Sequence, residues 1–218
     1  MTRFPDAKGF IFDCDGTLLD SLDAWEEAER DLFAKTGPLT QGQEDEIHSA
    51  PIEKAAEIFH ERYGVGESSE AVLAHLDGYL LPFYGQRSQP MPGACELVRM
   101  IHEQGIPCIV LSSSPRRYLD AGLKHVGIRD CFIELVTTDE VGVSKQDPAI
   151  YQHALEVLGC DDPGAVYAVD DAPYAIAVMS AFGLKTIGVA AGCSQERKKA
   201  LEGYADIVVE TLCDLLPS

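Results

Sequence analysis

At 218 residues and 46% hydrophobic content, the chain is long enough for one well-buried core and a smaller second domain. Its formal net charge of −19, from 17 basic and 36 acidic residues, argues against nucleic acid and anionic membranes as partners. The seven cysteines form no CxxC pair, and no stretch reaches the roughly 18 apolar residues of a membrane helix. We therefore expect a cytoplasmic protein with free thiols, as a monomer or weak dimer.

The first element in chain order is a short buried strand, the apolar run 9–12, followed at once by Asp13, Cys14, Asp15 and Gly16. Where such a strand gives way to a loop, both carboxylates can converge on one ligand, and Gly16 permits the turn. Mg²⁺ prefers oxygen ligands, so this pair of acids suits it. Taken alone, the same motif also fits a solvated Asp-Gly turn.

The segment between about Ser21 and Pro90 shows helical patterns and no convincing strand. The periodicity predicts helices over 22–35, 52–63 and 69–81, separated by glycine-containing breaks. We interpret Trp25 as a packing residue, and the apolar stripe of the second helix as the core of this segment. The residues of that stripe are Ile52, Ala55, Ala56, Phe59 and Tyr63.

From Met91 onward the sequence alternates between helical and strand patterns. Predicted helices span 93–104, 115–126, 147–158 and 173–181, and predicted strands span 106–111, 132–137, 165–169 and 185–189. Such alternation is typical of an α/β fold, in which helices cover both faces of a parallel sheet.

Three further polar signals occur in this half of the chain. Ser112, Ser113 and Ser114 follow a strand and offer hydroxyls that suit a phosphate; Lys145 precedes an Asp-Pro helix start; Asp170 and Asp171 follow another strand. Each has an ordinary structural explanation by itself, as a helix cap or a surface charge. Together with the first acid pair they form one constellation, because ligands of open α/β sheets bind outside the carboxyl ends of the strands.

These motifs resemble those of the haloacid dehalogenase superfamily of phosphohydrolases, nearest to its phosphatases and β-phosphoglucomutase-like members. The matching residues are Asp13-Cys14-Asp15-Gly16-Thr17-Leu18-Leu19-Asp20, then Ser112, then Lys145 within Ser-Lys-Gln-Asp-Pro, then Asp170-Asp171. The resemblance spans nearly the whole chain. It implies a Rossmann-like parallel sheet core over residues 1–20 and 91–218, with a small inserted helical cap over 21–90. The linkers at about 16–21 and 85–92 would be the hinges.

The resemblance also implies a role for each motif residue. Asp13 is the nucleophile, and Asp15 is the general acid/base and a Mg²⁺ ligand through its backbone carbonyl. Ser112 and Lys145 hold the transferring phosphoryl group, with Ser113 beside them. The metal-binding acids would be Asp13, Asp15, Asp170 and Asp171, of which Asp171 is the principal acid of the last motif.

The residue types suit phosphate ester hydrolysis independently of the family name. A carboxylate nucleophile divides a very slow reaction into formation and hydrolysis of an aspartyl-phosphate, and cations offset the repulsion between the two anions. We therefore expect a Mg²⁺-dependent phosphatase acting on a small phosphorylated metabolite.

A phosphosugar mutase is the main alternative, and a binding protein without catalysis is a third. The mutase is weakened because the stretch 48–51, His-Ser-Ala-Pro, lacks the arginine with which some relatives grip a second phosphate. Haloacid dehalogenation is disfavoured because, in the family, that reaction does not need the proton-transfer group that Asp15 supplies.

Overall fold

The structure is a computed structural model that describes residues 4–217, apart from the side chains of Gln41, Asp45, His48 and Ser49. Its strands, in chain order, are β1 Gly9–Phe12, β2 Leu19–Asp20, β3 Gln89–Pro90, β4 Cys108–Ser112, β5 Glu134–Thr137, β6 Val166–Asp170, β7 Lys185–Val189 and β8 Ile207–Val209. Its α-helices are α1 Leu22–Thr36, α2 Gln41–Ser49, α3 Ile52–Glu57, α4 Ser69–Gln86, α5 Ala94–Glu103, α6 Arg116–His125, α7 Thr138–Val141, α8 Ala149–Leu158, α9 Pro173–Phe182 and α10 Gln195–Tyr204. Within residues 4–217, no helix is both long and apolar enough to cross a membrane.

Six strands form one parallel sheet in the order β5-β4-β1-β6-β7-β8. The first strand lies between β4 and β6, with Phe12 opposite both Val110 and Val169. The carboxyl ends of β1, β4 and β6 therefore lie side by side, which brings the residues after these strands together. This topology confirms the predicted α/β fold.

The central strand is buried on both faces, as its apolar sequence predicts. Phe10 and Phe12 belong to the core on the side of α5 and α6, whereas Ile11 packs into the core on the side of α8 and α9. This alternation follows from the two-residue period of a strand.

The helices α1 to α4 form a group between β2 and β3. The two short strands pair antiparallel, Leu19 with Pro90 and Asp20 with Gln89, so the two linkers that enter and leave the helical group are hydrogen-bonded to each other. Inside the group, Phe33 packs edge-on against Phe59 with ring centroids 5.1 Å apart. The stripe interpreted as packing is buried at four positions, and Tyr63 is partly buried against the same core.

The structure departs from the predicted elements in three places. The helix predicted over 52–63 is an α-helix as far as Glu57 and a π-helix over Ile58–Arg62. Helix α4 continues past Leu81, through Pro82, to Gln86. Several further elements were not predicted: the helices α2, α7 and α10, which are polar or very short, and the strands β2, β3 and β8, which have only two or three residues. Strand β3 lies at the end of the segment 21–90, which was expected to contain no strand. The division into a core of 1–20 and 91–218 and a cap of 21–90 stays a prediction.

Candidate active site

Three strand ends supply the floor of the site. Asp13 directly follows β1, and its backbone N–H donates to the carbonyl of Val169 at 2.9 Å, which continues the pairing with β6. Ser112 is the last residue of β4 and Asp170 the last of β6. The sheet itself therefore fixes the positions of these side chains.

Lys145 lies between α7 and α8 and reaches into the acids. Its Nζ is 2.5 Å from Asp13 Oδ1 and 2.8 Å from Asp170 Oδ2, and its side chain is only 4% exposed. The loop is fixed by Tyr151, whose hydroxyl donates to the Lys145 carbonyl at 2.7 Å. Lys145 is therefore a buried cation shared by two buried carboxylates.

Burial and mutual repulsion dominate the protonation of these acids. Burial raises the pKa of Asp13 well above its ordinary value; Lys145 opposes this effect, and the neighbouring acids add to it. Burial by itself lowers the pKa of Lys145, but the carboxylates of Asp13 and Asp170 outweigh it and hold that pKa well above its ordinary value. Burial, followed by the charge of Asp170, raises the pKa of Asp171 to about 7 against the opposing charge of Arg197.

Asp171 is held by an arginine that the sequence did not point to. Arg197, on α10, donates from Nη2 to Asp171 Oδ2 at 2.6 Å and from Nε to the Asp171 carbonyl at 3.2 Å. Asp171 Oδ2 also lies close to Gly16, where a Cβ atom would be 2.6 Å from it. Gly16 has a φ of +78°, so this position requires glycine both for the turn and for the close approach of the acid.

The Asp15 carboxylate accepts hydrogen bonds from three hydroxyl groups. Ser21 donates to Oδ1 at 2.6 Å, the hydroxyl of Tyr84 donates to the same oxygen, and Ser114 donates to Oδ2 at 2.7 Å. The Trp25 indole in turn donates to the Tyr84 hydroxyl at 2.8 Å. The side chain of Asp15 is thus fixed by hydroxyl groups and not by the lysine.

The three consecutive serines at the end of β4 contact different groups. The hydroxyl oxygen of Ser112 accepts the backbone N–H of Ser114 at 3.0 Å, and Ser112 is buried. Ser113 is partly buried and lines the cavity beside it. Ser114 points instead to Asp15. Ser112 and Ser113 therefore line the same cavity as Asp13 and Lys145.

A cavity of about 670 Å³ lies above these residues. Its floor contains all of the residues predicted for the site: Asp13, Asp15, Ser112, Ser113, Lys145, Asp170 and Asp171. Its opposite wall comes from the helical group and contains Leu22, Trp25, Glu26, Glu29, Ile47, Ala50, Ile52, Ala55 and Leu76. The cavity therefore lies between the strand ends and the inserted helices.

The acids have the composition of a site for a hard divalent cation. Asp13, Asp170 and Asp171 each offer a carboxylate oxygen, and these oxygens lie within 4.8 Å of one another. Such an all-oxygen set suits Mg²⁺. The carboxylate of Asp15 is not part of this group, so its predicted share in the metal site depends on its backbone carbonyl.

A sequence model of the family described as haloacid dehalogenase-like hydrolase matches residues 7–183. The chain belongs to this family. It is similar to hexitol phosphatase B of Escherichia coli K12, with 26% identity over 209 residues that cover 94% of this chain and 92% of that protein. It is also similar to phosphoglycolate phosphatase of Yersinia pseudotuberculosis, with 27% identity over 225 residues that cover 100% of this chain and 95% of that protein.

The fold of this haloacid dehalogenase-like hydrolase is also that of solved structures. The crystal structure of CbbY from Rhodobacter sphaeroides in complex with phosphate matches it with a TM-score of 0.77 and 19% identity, covering 96% of each chain. These findings confirm the predicted family and fold. The predicted enzyme class, a phosphoric monoester hydrolase, agrees with the names of both curated relatives.

Proposed function

We propose that this hydrolase is a Mg²⁺-dependent phosphatase that acts on a small phosphorylated metabolite through an aspartyl-phosphate on Asp13. The observation that carries the proposal is the position of Asp13: it lies at the end of the central strand, at the floor of a cavity and 2.5 Å from Lys145. Asp15, two residues further on, lines the same cavity.

In the first step, a carboxylate oxygen of Asp13 attacks phosphorus, and the bond between phosphorus and the leaving oxygen breaks. Asp15 gives its proton to that oxygen, so that an alcohol leaves. In the second step, water attacks the phosphorus of the aspartyl-phosphate and gives a proton to Asp15. Inorganic phosphate and the Asp13 carboxylate are released, and both groups return to their starting states.

Lys145 supplies the fixed positive charge of this mechanism. Its Nζ contacts the nucleophile itself, so a phosphoryl group bound to Asp13 would lie beside a buried cation. The hydroxyls of Ser112 and Ser113 can donate to the phosphoryl oxygens from the neighbouring strand end. These groups stabilise the charge that spreads over the phosphoryl oxygens during transfer.

The acids Asp13, Asp170 and Asp171 would hold the metal, together with the backbone carbonyl of Asp15 as the resemblance implies. A Mg²⁺ ion bound there supplies positive charge that offsets the repulsion between the carboxylate nucleophile and the anionic ester. Asp170 is fixed for this role because Lys145 contacts its Oδ2 and the backbone N–H of Ala172 donates to its Oδ1 at 2.8 Å.

The mutase alternative is not favoured. A mutase holds a second phosphate on the side of the cavity away from the nucleophile, and the described residues on that wall are apolar or acidic, without lysine or arginine. A protein without catalysis is a weaker alternative still, since the complete set of reactive side chains is present and brought together at one cavity.

The test is phosphate release from a panel of sugar phosphates, hexitol phosphates, phosphoglycolate, glycerol phosphate and nucleotides, with Mg²⁺ and with a chelator. We expect Mg²⁺-dependent release that is lost in Asp13→Asn, which keeps the size of the side chain but removes the nucleophile. Circular dichroism of the variant checks that it is folded. Release that survives in folded Asp13→Asn would refute the role of Asp13, and isomerisation without release would establish the mutase.

A further inference from the structure

The hydrogen bonds around Asp15 assign a role to a residue outside the motifs. We infer that Tyr84 is a positioning residue for Asp15: together with Trp25, it fixes the carboxyl group so that Oδ2 is the oxygen that carries the catalytic proton. This inference rests on the proposed phosphatase function, in which Asp15 is the general acid.

The direction of the hydrogen bonds follows from the donors themselves. The indole Nε1 of Trp25 can only donate, so the Tyr84 oxygen accepts at that contact. The single hydrogen of the Tyr84 hydroxyl is then available for Asp15 Oδ1. Tyr84 is therefore an obligatory donor to Oδ1 in this arrangement.

The two oxygens of Asp15 consequently differ. Among the described residues, Oδ1 accepts hydrogen bonds from Tyr84 and Ser21, whereas Oδ2 accepts one from Ser114. A serine hydroxyl can rotate and accept a hydrogen bond where it previously donated one. When Asp15 becomes protonated, Oδ2 can carry the proton without the loss of the contact to Tyr84. A proton on Oδ1 would instead point towards the hydroxyl hydrogen of Tyr84, and the two hydrogens would repel each other.

The tyrosine is rigidly held. Tyr84 is fully buried and stacks on Tyr118, with ring centroids 5.3 Å apart and planes 9° apart. Trp25 packs edge-on against the same Tyr118 ring at 5.9 Å. Gly122 of α6 lets the Tyr84 ring approach closely, because a Cβ there would lie 2.9 Å from Tyr84 Cδ1. Such packing fixes the hydroxyl more firmly than a solvent-exposed side chain could.

The arrangement also links the helical group to the chemistry. Trp25 is on α1 and Tyr84 is on the last turn of α4, whereas Asp15 is on the loop after β1. The orientation of the acid therefore depends on two side chains of the helical group.

The experiment compares two leaving groups in Tyr84→Phe, which removes one hydroxyl and keeps the ring. An alkyl phosphate needs a proton on its leaving oxygen, whereas p-nitrophenyl phosphate releases a stable phenolate and needs none. The ratio kcat/KM reports only the steps up to the phosphoenzyme, so the later use of Asp15 as a base does not enter. We expect kcat/KM to fall roughly 10- to 100-fold for glycerol phosphate, or the best alkyl substrate of the panel, and less than about 3-fold for p-nitrophenyl phosphate.

Tyr118→Phe is the matched control. It removes a buried hydroxyl from the ring stacked on Tyr84, but that hydroxyl donates to Asp77 and not to Asp15. Any loss should therefore be equal for the two substrates. Circular dichroism and thermal denaturation check that each of these variants keeps the native fold.

Trp25→Phe is a second variant, which removes the donor to Tyr84 and leaves the tyrosine in place. We expect a smaller loss with the same selectivity for the alkyl substrate. If the wild type is active and Tyr84→Phe lowers both substrates equally, or neither, the positioning role is overturned and the phosphatase stands. If the wild type releases phosphate from neither substrate, the proposed function and this inference fall together.

Discussion

At the scale of single residues, the site contains more acidic than basic side chains, and this excess of negative charge favours the binding of a divalent cation. Four carboxylates, those of Asp13, Asp15, Asp170 and Asp171, face two basic side chains, Lys145 and Arg197. When all are ionised, the group carries two uncompensated negative charges. Buried like charges are costly without a partner, so a cation of charge two completes the set.

Removal of Lys145 should destabilise the protein and stop the reaction. Lys145→Gln leaves Asp13 and Asp170 buried without their shared cation, and we expect the free energy of unfolding to fall by roughly 3–5 kcal/mol. Phosphatase activity should fall by at least about 100-fold. Mg²⁺ should restore part of the stability, because it binds only the folded variant. Urea denaturation with and without Mg²⁺ measures both effects.

The control for this variant is Lys124→Gln, on an exposed lysine that pairs with Asp120 at 2.6 Å. Its free energy of unfolding should change by less than about 0.5 kcal/mol. Equal losses in the two variants would contradict the assignment of Lys145 as the buried cation of the site.

The pKa of Asp171, raised to about 7 mainly by burial, predicts how stability depends on pH in the metal-free protein. Between about pH 4 and pH 7, the folded state holds a proton on this group that the unfolded state has lost. The free energy of unfolding should therefore decrease as the pH rises through this range, by up to roughly 4 kcal/mol from this group. Urea denaturation in a chelator at several pH values measures the slope.

Asp171→Asn should flatten this pH dependence relative to the wild type, because the amide does not titrate. Mg²⁺ should compete with the proton for this group: it binds the ionised carboxylate and restores stability near neutral pH. A wild type and a variant with the same slope would show that another group dominates the pH dependence.

Among the residues of the site, those at the end of a strand or directly after it could be predicted from the sequence. Asp13, Ser112 and Asp170 each come after an apolar run, and a parallel sheet brings such positions together. Arg197 and Tyr84 could not be predicted in this way. Their contacts, with Asp171 and Asp15, join residues 26 and 69 positions apart in the sequence, and no local pattern marks either one.

At the scale of elements, the turn after β1 determines how closely the two acid motifs approach each other. Gly16 adopts a φ of +78° and lies against Asp171, so both its backbone conformation and its missing side chain are needed there. The turn is closed by hydrogen bonds from Leu18 and Leu19 to the carbonyl of Cys14, each 2.8 Å long. The loop therefore brings Gly16, the residue after Asp15, into close approach with Asp171.

Gly16→Ala should impair catalysis far more than it impairs folding. Its Cβ would meet Asp171 Oδ2 at 2.6 Å and displace a proposed metal ligand. Gly142→Ala is the matched control, since Gly142 has a φ of +80° and nothing within 4 Å of a Cβ. Both variants should lose about 1 kcal/mol or more of stability from backbone strain.

Only Gly16→Ala should weaken Mg²⁺ binding, which isothermal titration calorimetry measures directly, and only Gly16→Ala should lower kcat/KM by more than about 10-fold. Equal activity in the two glycine variants would mean that the contact between Gly16 and Asp171 has no part in the reaction.

Helix α4 illustrates why Tyr84, which contacts the proposed general acid Asp15, could not be predicted from a sequence pattern. Pro82 lacks a backbone N–H and predicts that the helix ends near Leu81. The helix instead continues to Gln86, and the Tyr84 ring beyond the proline stacks on Tyr118. Tertiary packing thus overrides the local signal in the turn that carries Tyr84. Strand β8 and helix α10 were missed for a different reason: β8 has only three residues, and α10 is too polar to show an apolar period.

At the scale of the whole molecule, the charge of −19 opposes the approach of any anionic substrate. The basic side chains among the described residues of the cavity are Lys145 and Arg197, and both already contact carboxylates. Attraction of the phosphate group therefore depends on Lys145 and the proposed metal ion, while the net negative charge of the protein repels it. The catalytic efficiency should accordingly vary with ionic strength, because salt screens exposed charges more than the buried site.

The same distribution of charge predicts which leaving groups the enzyme accepts. Among the described residues, the wall contributed by the helical group is apolar except for Glu26 and Glu29, so a second anion on the substrate would lie near the carboxylate of Glu26 in a partly desolvated cavity. Three substrates of similar size separate the cases: glucosamine 6-phosphate carries an amine, glucose 6-phosphate is neutral beyond its phosphate, and 6-phosphogluconate carries a carboxylate. We expect kcat/KM to be lowest for the carboxylate, by about 10-fold relative to the neutral sugar at low salt.

The discrimination should shrink in 0.5 M salt, at roughly half the Debye length of a physiological buffer, and in Glu26→Gln, which removes the charge of this carboxylate without a change of shape. Lys54→Gln, on an exposed pair with Glu57 away from the cavity, is the control variant and should leave the order of the substrates unchanged. If 6-phosphogluconate were the best of the three, the acidic wall would not select the leaving group. The site would then accept a substrate that carries a carboxylate as well as a phosphate, as an enzyme for phosphoglycolate must.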